Sequence, residues 1–86
     1  MRQYKVILSP KAQKSFKNIP DDYLAKIHKS LALLSFDPRP FGYCKLKDSD
    51  EYYRIRVGVY RVVYSIKDDI LIVEVIKIGH RRDVYR

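Results

Sequence analysis

Residues 52–64 read YYRIRVGVYRVVY, and their side chains alternate between two environments. Before Gly58, apolar residues occupy every second position, and Arg54 and Arg56 lie between them. A period of two is typical of a β-strand, because successive side chains point to opposite sides of the sheet. The segment Val57-Gly58-Val59 interrupts the alternation and predicts a tight turn. We therefore expect an antiparallel hairpin with one apolar face and one cationic face.

A third strand is expected to follow this hairpin. Residues 67–69 read Lys-Asp-Asp, which favours a second tight turn, and residues 70–78 are rich in β-branched side chains. Glu74 and Lys77 are three positions apart and would point to opposite faces of a regular strand. This spacing predicts either a strand buried on both faces or a β-bulge.

Helical patterns dominate the N-terminal half. Residues 3–8 predict a short strand, and Ser9-Pro10 is typical of a helix N-cap followed by proline at the first helical position. After a break at residues 18–20, Asp21 opens a second helix whose apolar residues recur at spacings of three and four. This stripe consists of Leu24, Ile27, Leu31 and Leu34. Residues 41–51 are predicted to form a loop.

The predicted order of elements is β-α-α-β-β-β, an α+β fold in a single domain that spans residues 1–86. We expect a small, mostly antiparallel sheet with the two-helix hairpin packed on one face, because the helical stripe needs an apolar surface to cover. The opposite face would then carry Arg54, Arg56 and Arg61.

The charge of the chain indicates a class of partner. Lys and Arg number 18 against 10 Asp and Glu, which gives a net charge of +8. Six of the eight arginines lie at or after residue 54, close to most of the tyrosines. Guanidinium groups bind phosphate through a planar fork and stack on bases, so this distribution favours nucleic-acid binding. An ordinary basic surface is the alternative.

The composition also excludes several classes of protein. A content of 47% hydrophobic and 33% charged residues is not that of a disordered chain. The apolar runs at 31–34 and 70–73 are too short to span a bilayer, and the first residues show no signal-peptide pattern. The single cysteine, Cys44, cannot form an internal disulfide. We expect a cytoplasmic protein with no metal site, no cofactor and no membrane partner.

The side chains left for chemistry are arginines, lysines, tyrosines and His80. They suit RNA cleavage, in which the 2′-hydroxyl of the RNA attacks the adjacent phosphorus. This reaction needs an acceptor for the hydroxyl proton, cations that stabilise the phosphorane, and an acid or a charge for the leaving 5′ oxygen. A basic sheet that only binds RNA fits the same residues equally well.

Two segments resemble the RelE/ParE toxin superfamily. They are residues 53–64 and the C-terminal residues 78–86, which read IGHRRDVYR. With Lys45-Leu46-Lys47 and the order of elements, the resemblance covers essentially the whole chain. The C-terminal segment is more similar to the RelE branch, whose members cleave messenger RNA in the ribosomal A site. ParE-like members share the fold, lack most of the catalytic set and act on DNA gyrase.

The resemblance implies roles for individual residues. Arg61 and Arg81 match the arginines that stabilise the transition-state phosphate, and Tyr85 matches the tyrosine that stacks on or orients the nucleotide. Arg54 and Arg56 stand where RelE has two lysines, one of them implicated in activating the 2′-hydroxyl. Since a guanidinium group does not readily accept a proton, Arg56 would lower the proton affinity of the hydroxyl through its charge.

His80 also stands where RelE has a lysine. Histidine side chains exchange protons near neutral pH, which makes His80 the candidate for proton transfer; an orienting or antitoxin-facing residue is the alternative. The predicted catalytic residues are Arg56, Arg61, His80, Arg81 and Tyr85. The predicted RNA-binding residues are Lys45, Lys47, Arg54 and Arg82, although a plain solvated surface explains the two lysines almost as well.

The expected function follows from the RelE branch. The chain would be the toxin of a type II toxin–antitoxin system and a metal-independent, ribosome-dependent endoribonuclease. Its partners would be the ribosome, messenger RNA and a cognate antitoxin protein. The alternatives are a ParE-like toxin that acts on DNA gyrase without nuclease activity, and a catalytically weak RNA-binding relative, which the arginines at both lysine positions favour.

Overall fold

The computed structural model describes residues 3–47 and 51–80. The elements are β1 (Lys5–Leu8), α1 (Pro10–Ser15), a 3-10 turn (Phe16–Asn18), α2 (Asp21–Leu34), β2 (Cys44–Lys45), β3 (Tyr52–Val57), β4 (Tyr60–Lys67) and β5 (Ile72–His80). The strands form one sheet in the order β1-β5-β4-β3-β2. β1 runs parallel to β5, and the other pairs are antiparallel. The predicted α+β fold is confirmed.

Both helices begin where the sequence predicts. The Oγ atom of Ser9 accepts a hydrogen bond from the backbone N–H of Ala12 at 3.1 Å, which caps α1 ahead of Pro10. α2 begins at Asp21, where acidic side chains in the first turn favour the helix dipole. The predicted apolar stripe of α2 is confirmed, since three of its members are buried and Leu24 packs against them.

One side of the sheet packs against the helices, and we call it the core face. Its buried side chains are Ile55, Val57, Val62, Tyr64, Val73, Val75 and Ile78. Tyr64 is fully buried, and its hydroxyl donates a hydrogen bond to the carbonyl oxygen of Pro38 at 2.7 Å. Desolvation raises the pKa of Tyr64, so this hydroxyl remains a neutral donor. The polar atom on the core face is therefore satisfied.

Three strands differ from the prediction. β1 begins at residue 5 rather than at residue 3. The predicted loop at 41–51 contains β2, whose residues Cys44 and Lys45 pair with Arg54 and Tyr53 of β3. Two residues are too few to show a strand period in the sequence. The last strand begins at 72 rather than 70 and continues to 80, because Leu71 has a φ of 54° and left-handed backbone cannot continue an extended strand.

A β-bulge interrupts β5. Val63 of β4 lies opposite Lys77 and Tyr64 lies opposite Val75, which leaves Ile76 as an extra residue. Its carbonyl oxygen accepts a hydrogen bond from the Ser9 hydroxyl at 2.7 Å. The bulge is one of the two predicted explanations for the spacing of Glu74 and Lys77. It brings both charged residues to the same face.

Candidate nucleic-acid interface

The side of the sheet opposite the helices carries the arginines, and we call it the open face. Three rows of cross-strand neighbours define it. They are Arg56–Arg61–Gly79, Arg54–Val63–Lys77 and Tyr52–Ser65–Glu74. The first row places Arg56 directly opposite Arg61, and like charges in that position repel each other. An anion bound at this row would relieve the repulsion.

Arg61 lies on β4, the central strand of the sheet, and is only 9% exposed. The predicted face is correct, but the burial of this arginine was not predicted. Its Nε atom is buried and has no hydrogen-bond partner. A buried donor without a partner is unfavourable, more so on a charged group. The site therefore holds a largely buried cationic side chain directly opposite Arg56, and guanidinium groups bind phosphate oxygens through their N–H donors.

Arg54 and Arg56 lie beside Arg61 on β3. Arg54 is half-buried and Arg56 is exposed. Within residues 3–47 and 51–80, no acidic side chain forms an ion pair with either of them. Both line a cleft of about 470 Å³ at the β2 edge of the sheet. Their charge therefore remains available to an anionic ligand.

The other end of the open face has the opposite character. A cavity of about 230 Å³ there is lined by Glu51, Tyr52, Ser65, Lys67, Glu74 and two neighbours. The Ser65 hydroxyl is buried without a hydrogen-bond partner. Two carboxylates beside one lysine disfavour a phosphate, so the cationic end of the open face is the candidate phosphate site.

His80 does not join this site in the structure. It lies opposite Tyr60, and the two ring centroids are 6.0 Å apart. The ring of Tyr60 also contacts that of Tyr23 on α2, so the His80 side chain belongs to the core face. The bulge is the reason: with Ile76 as an extra residue, His80 shares the orientation of Ile78, and Gly79 takes the position opposite Arg61.

The remaining predicted residues lie at the margin of the site or outside the described residues. Lys45 pairs with Tyr53 and is exposed on the β2 edge, on the core-face side, and Lys47 is exposed two residues later. Arg81, Arg82 and Tyr85 lie outside the described residues. Across residues 3–47 and 51–80, no three His, Cys, Asp or Glu side chains are grouped so that they could hold a metal ion.

One residue of this region, Phe41, was not predicted from the sequence. Phe41 lines the same cleft as Arg54 and Arg56, and its side chain is fully exposed. Its position follows from the turn 40–43, in which the backbone N–H of Tyr43 donates to the carbonyl oxygen of Pro40 at 3.0 Å. Gly42 stands at the third position of this turn, where type II turns favour glycine, and this signal could have identified it.

Comparisons with known proteins agree with this fold. Residues 6–85 match the family described as the ParE toxin of type II toxin–antitoxin systems. The chain is 32% identical over 87 residues to "Putative toxin RelE1" of Methanocaldococcus jannaschii, covering 98% of this chain and 97% of that protein. The chain belongs to the RelE/ParE toxin superfamily. The predicted resemblance is thus confirmed over nearly the full length.

Solved structures place the similarity on the RelE side of the superfamily. The isolated RelE toxin of E. coli superposes with a TM-score of 0.78 at 27% identity, covering 95% of this chain and 90% of that one. The archaeal RelE–RelB complex of Pyrococcus horikoshii superposes with a TM-score of 0.82 over 95% of this chain and 99% of that one, and at 24% identity it supports the fold alone. Within the described residues, no helix is long and apolar enough to cross a membrane.

Proposed function

We propose that this superfamily member is a metal-independent endoribonuclease that cleaves messenger RNA in the A site of the ribosome. The observation that carries the proposal is the row Arg56–Arg61–Gly79, with a buried guanidinium group whose Nε has no partner. In a relative of RelE toxins, the two arginines of this row offer positive charge to the transferring phosphate.

The reaction needs no group beyond the RNA and the protein side chains. The O2′ atom attacks the adjacent phosphorus, the P–O5′ bond breaks, and the products are a 2′,3′-cyclic phosphate and a free 5′-hydroxyl. Arg61 donates to the non-bridging oxygens, where negative charge develops, together with Arg81. Arg56 promotes loss of the O2′ proton through its charge, and Tyr85 orients the nucleotide.

The proton leaves O2′ and another is delivered to O5′. We propose His80 for this proton transfer because it matches a position of the RelE resemblance and because imidazole can both accept and donate a proton. The position of His80 on the core face beside Tyr60 argues against direct contact with Arg61, so activation by the arginines alone is the competing route.

Binding partners follow from charge and from the relatives. Lys45, Lys47, Arg54 and Arg82 are proposed to bind RNA phosphates on the ribosome. The solved complexes of P. horikoshii, E. coli and Mycobacterium tuberculosis contain a toxin of this superfamily with its antitoxin. We propose that this chain likewise binds a cognate antitoxin and acts in the cytoplasm.

The second candidate is inhibition of DNA gyrase, which the match to the ParE toxin family favours. The test is cleavage of a defined message on stalled ribosomes, run beside a gyrase supercoiling assay with the same protein. We expect message cleavage and unchanged supercoiling. Gyrase inhibition without cleavage would establish the ParE-like alternative, and salt-sensitive RNA binding without either activity would establish a catalytically weak relative.

A further inference from the structure

Phe41 is displayed to solvent on a rigid turn. Its side chain is fully exposed, although burial of a phenyl ring is favourable. The hydrogen bond between Tyr43 and Pro40, together with a φ of 92° at Gly42, gives this turn the features of type II. Gly42 suits the turn because it adopts a positive φ without strain. The turn therefore fixes the backbone position from which the exposed ring projects.

The segment just before this turn is anchored to the body of the protein. The guanidinium group of Arg39 forms an ion pair with the carboxylate of Asp68 at 2.9 Å, and the Pro38 carbonyl accepts the hydroxyl of buried Tyr64. Both anchors lie within three residues of Phe41. They limit the freedom of the backbone that carries the ring and so lower the entropy that is lost when the turn binds a ligand.

The cleft at Phe41 combines an aromatic ring with cations. Its lining includes Phe41 and Gly42 from the turn and Arg54 and Arg56 from β3. A Cβ atom added to Gly42 would meet nothing within 4 Å, so the cleft is open at the turn. A ligand that satisfies this lining needs a planar face for the ring and negative charge for the arginines. A single-stranded nucleotide has both.

We propose that Phe41 stacks on one unpaired base of the bound message while Arg54 and Arg56 bind the phosphates beside that base. This inference rests on the proposed function and adds a base-binding residue to it. Cys44 and Ile55 complete the lining of the cleft, in which, among the described residues, Arg54 and Arg56 supply the only charges. The other large exposed apolar side chains, including Leu33, Phe36 and Ile70, do not line this cleft.

The test uses messages on programmed ribosomes in which one base of the A-site codon is removed while its 2′-hydroxyl is kept. We expect Phe41→Ala to raise the KM for the intact message by about tenfold, because one base–aromatic stack is lost. Phe41→Trp should cleave as the unaltered protein does. Phe36→Ala is the matched control, since it removes another exposed phenylalanine and should change nothing.

Removal of the stacked base should raise the KM of the unaltered protein by the same factor. It should not raise the KM of Phe41→Ala any further. Unchanged cleavage by Phe41→Ala would overturn the inference and leave the nuclease intact. The inference would also be overturned if every base removal raised the KM of Phe41→Ala further. It would likewise be overturned if Phe41→Ala cleaved normally but no longer bound the antitoxin. If the unaltered protein cleaves no message, the proposed function fails first, and the inference fails with it.

Discussion

β4 contributes buried side chains to both faces of the sheet. The two sets differ in whether their polar atoms have hydrogen-bond partners. On the core face, Val62 and Tyr64 are fully buried, and the hydroxyl of Tyr64 has its partner at Pro38. On the open face, Arg61 and Ser65 are also buried, yet each has a polar atom without a partner. Within five residues of one strand, the buried polar atoms are therefore hydrogen-bonded on one face and unpaired on the other.

This difference separates stability from function along a single strand. Satisfied apolar packing is what holds small domains together, whereas buried unpaired polar groups destabilise them. The core face should thus determine the free energy of unfolding, and the open face should determine activity. We therefore expect substitutions on the core face to lower mainly the free energy of unfolding. Substitutions on the open face should lower mainly the activity.

The largest loss of stability is expected in the core between α2 and the core face of the sheet. Ile27 of α2 is fully buried, and Ile27→Ala removes its packing and leaves a cavity. We expect the free energy of unfolding to fall by about 2–5 kcal/mol, measured by urea denaturation. Ala25→Gly on the exposed side of α2 is the control, and it should lower the free energy of unfolding by ~1 kcal/mol. Equal losses for both variants would contradict the assignment of Ile27 to the core.

A smaller loss is expected for Tyr64→Phe. The change leaves the Pro38 carbonyl without its donor and should lower the free energy of unfolding by about 1–3 kcal/mol at neutral pH. Because the folded state raises the pKa of Tyr64, the neutral hydroxyl contributes stability that is complete below its ordinary pKa near 10 and is lost as pH rises towards the folded value. Tyr64→Phe should therefore flatten alkaline denaturation. An equally steep alkaline transition would show that another group controls it.

On the open face, Arg56→Gln should weaken RNA binding and leave the fold unchanged. Arg56 is exposed, so its loss removes a phosphate contact without a cavity. The slope of log affinity against log salt should decrease by about 1. Lys29→Gln on α2, an exposed cation away from the sheet, is the matched control for net charge. A similar decrease for both variants would show that only total charge matters.

The smallest predicted change concerns proton transfer during RNA cleavage. If His80 transfers it, His80→Gln should flatten the pH profile of single-turnover cleavage near neutrality and keep ribosome binding intact. The stability of His80→Gln does not distinguish proton transfer by His80 from activation by the arginines. His80 contacts Tyr60 on the core face, so its replacement affects packing on either route. An unchanged pH profile would assign activation of the hydroxyl to the arginines.

The fold could be predicted to the extent that its signals are local. The hairpin of β3 and β4 follows from a period of two, and α2 follows from its apolar stripe. β2 could not be predicted, since two residues carry no period, and the start of β5 depends on the left-handed Leu71. The side of the sheet that carries Arg54, Arg56 and Arg61 follows from the same alternation and agrees with the structure.

The rest of the site depends on long-range arrangement. The burial of Arg61 arises because β4 is the central strand, a position set by pairing between segments far apart in the chain. The bulge at Ile76 was one of two explanations for the charge spacing, and only the register shows that it turns His80 to the core face. Phe41 joins the arginines because the turn 40–43 and β3 meet at one edge of the sheet.

The most direct test of this separation is Arg61→Met, measured for both stability and cleavage. Methionine keeps much of the side-chain volume and removes the buried charge with its unpaired Nε. We predict a free energy of unfolding equal to or above that of the unaltered protein. Cleavage on ribosomes should be slowed by at least about a hundredfold, or ~3 kcal/mol of transition-state stabilisation. Cleavage at the unaltered rate, or a loss of stability as large as that of Ile27→Ala, would contradict this prediction.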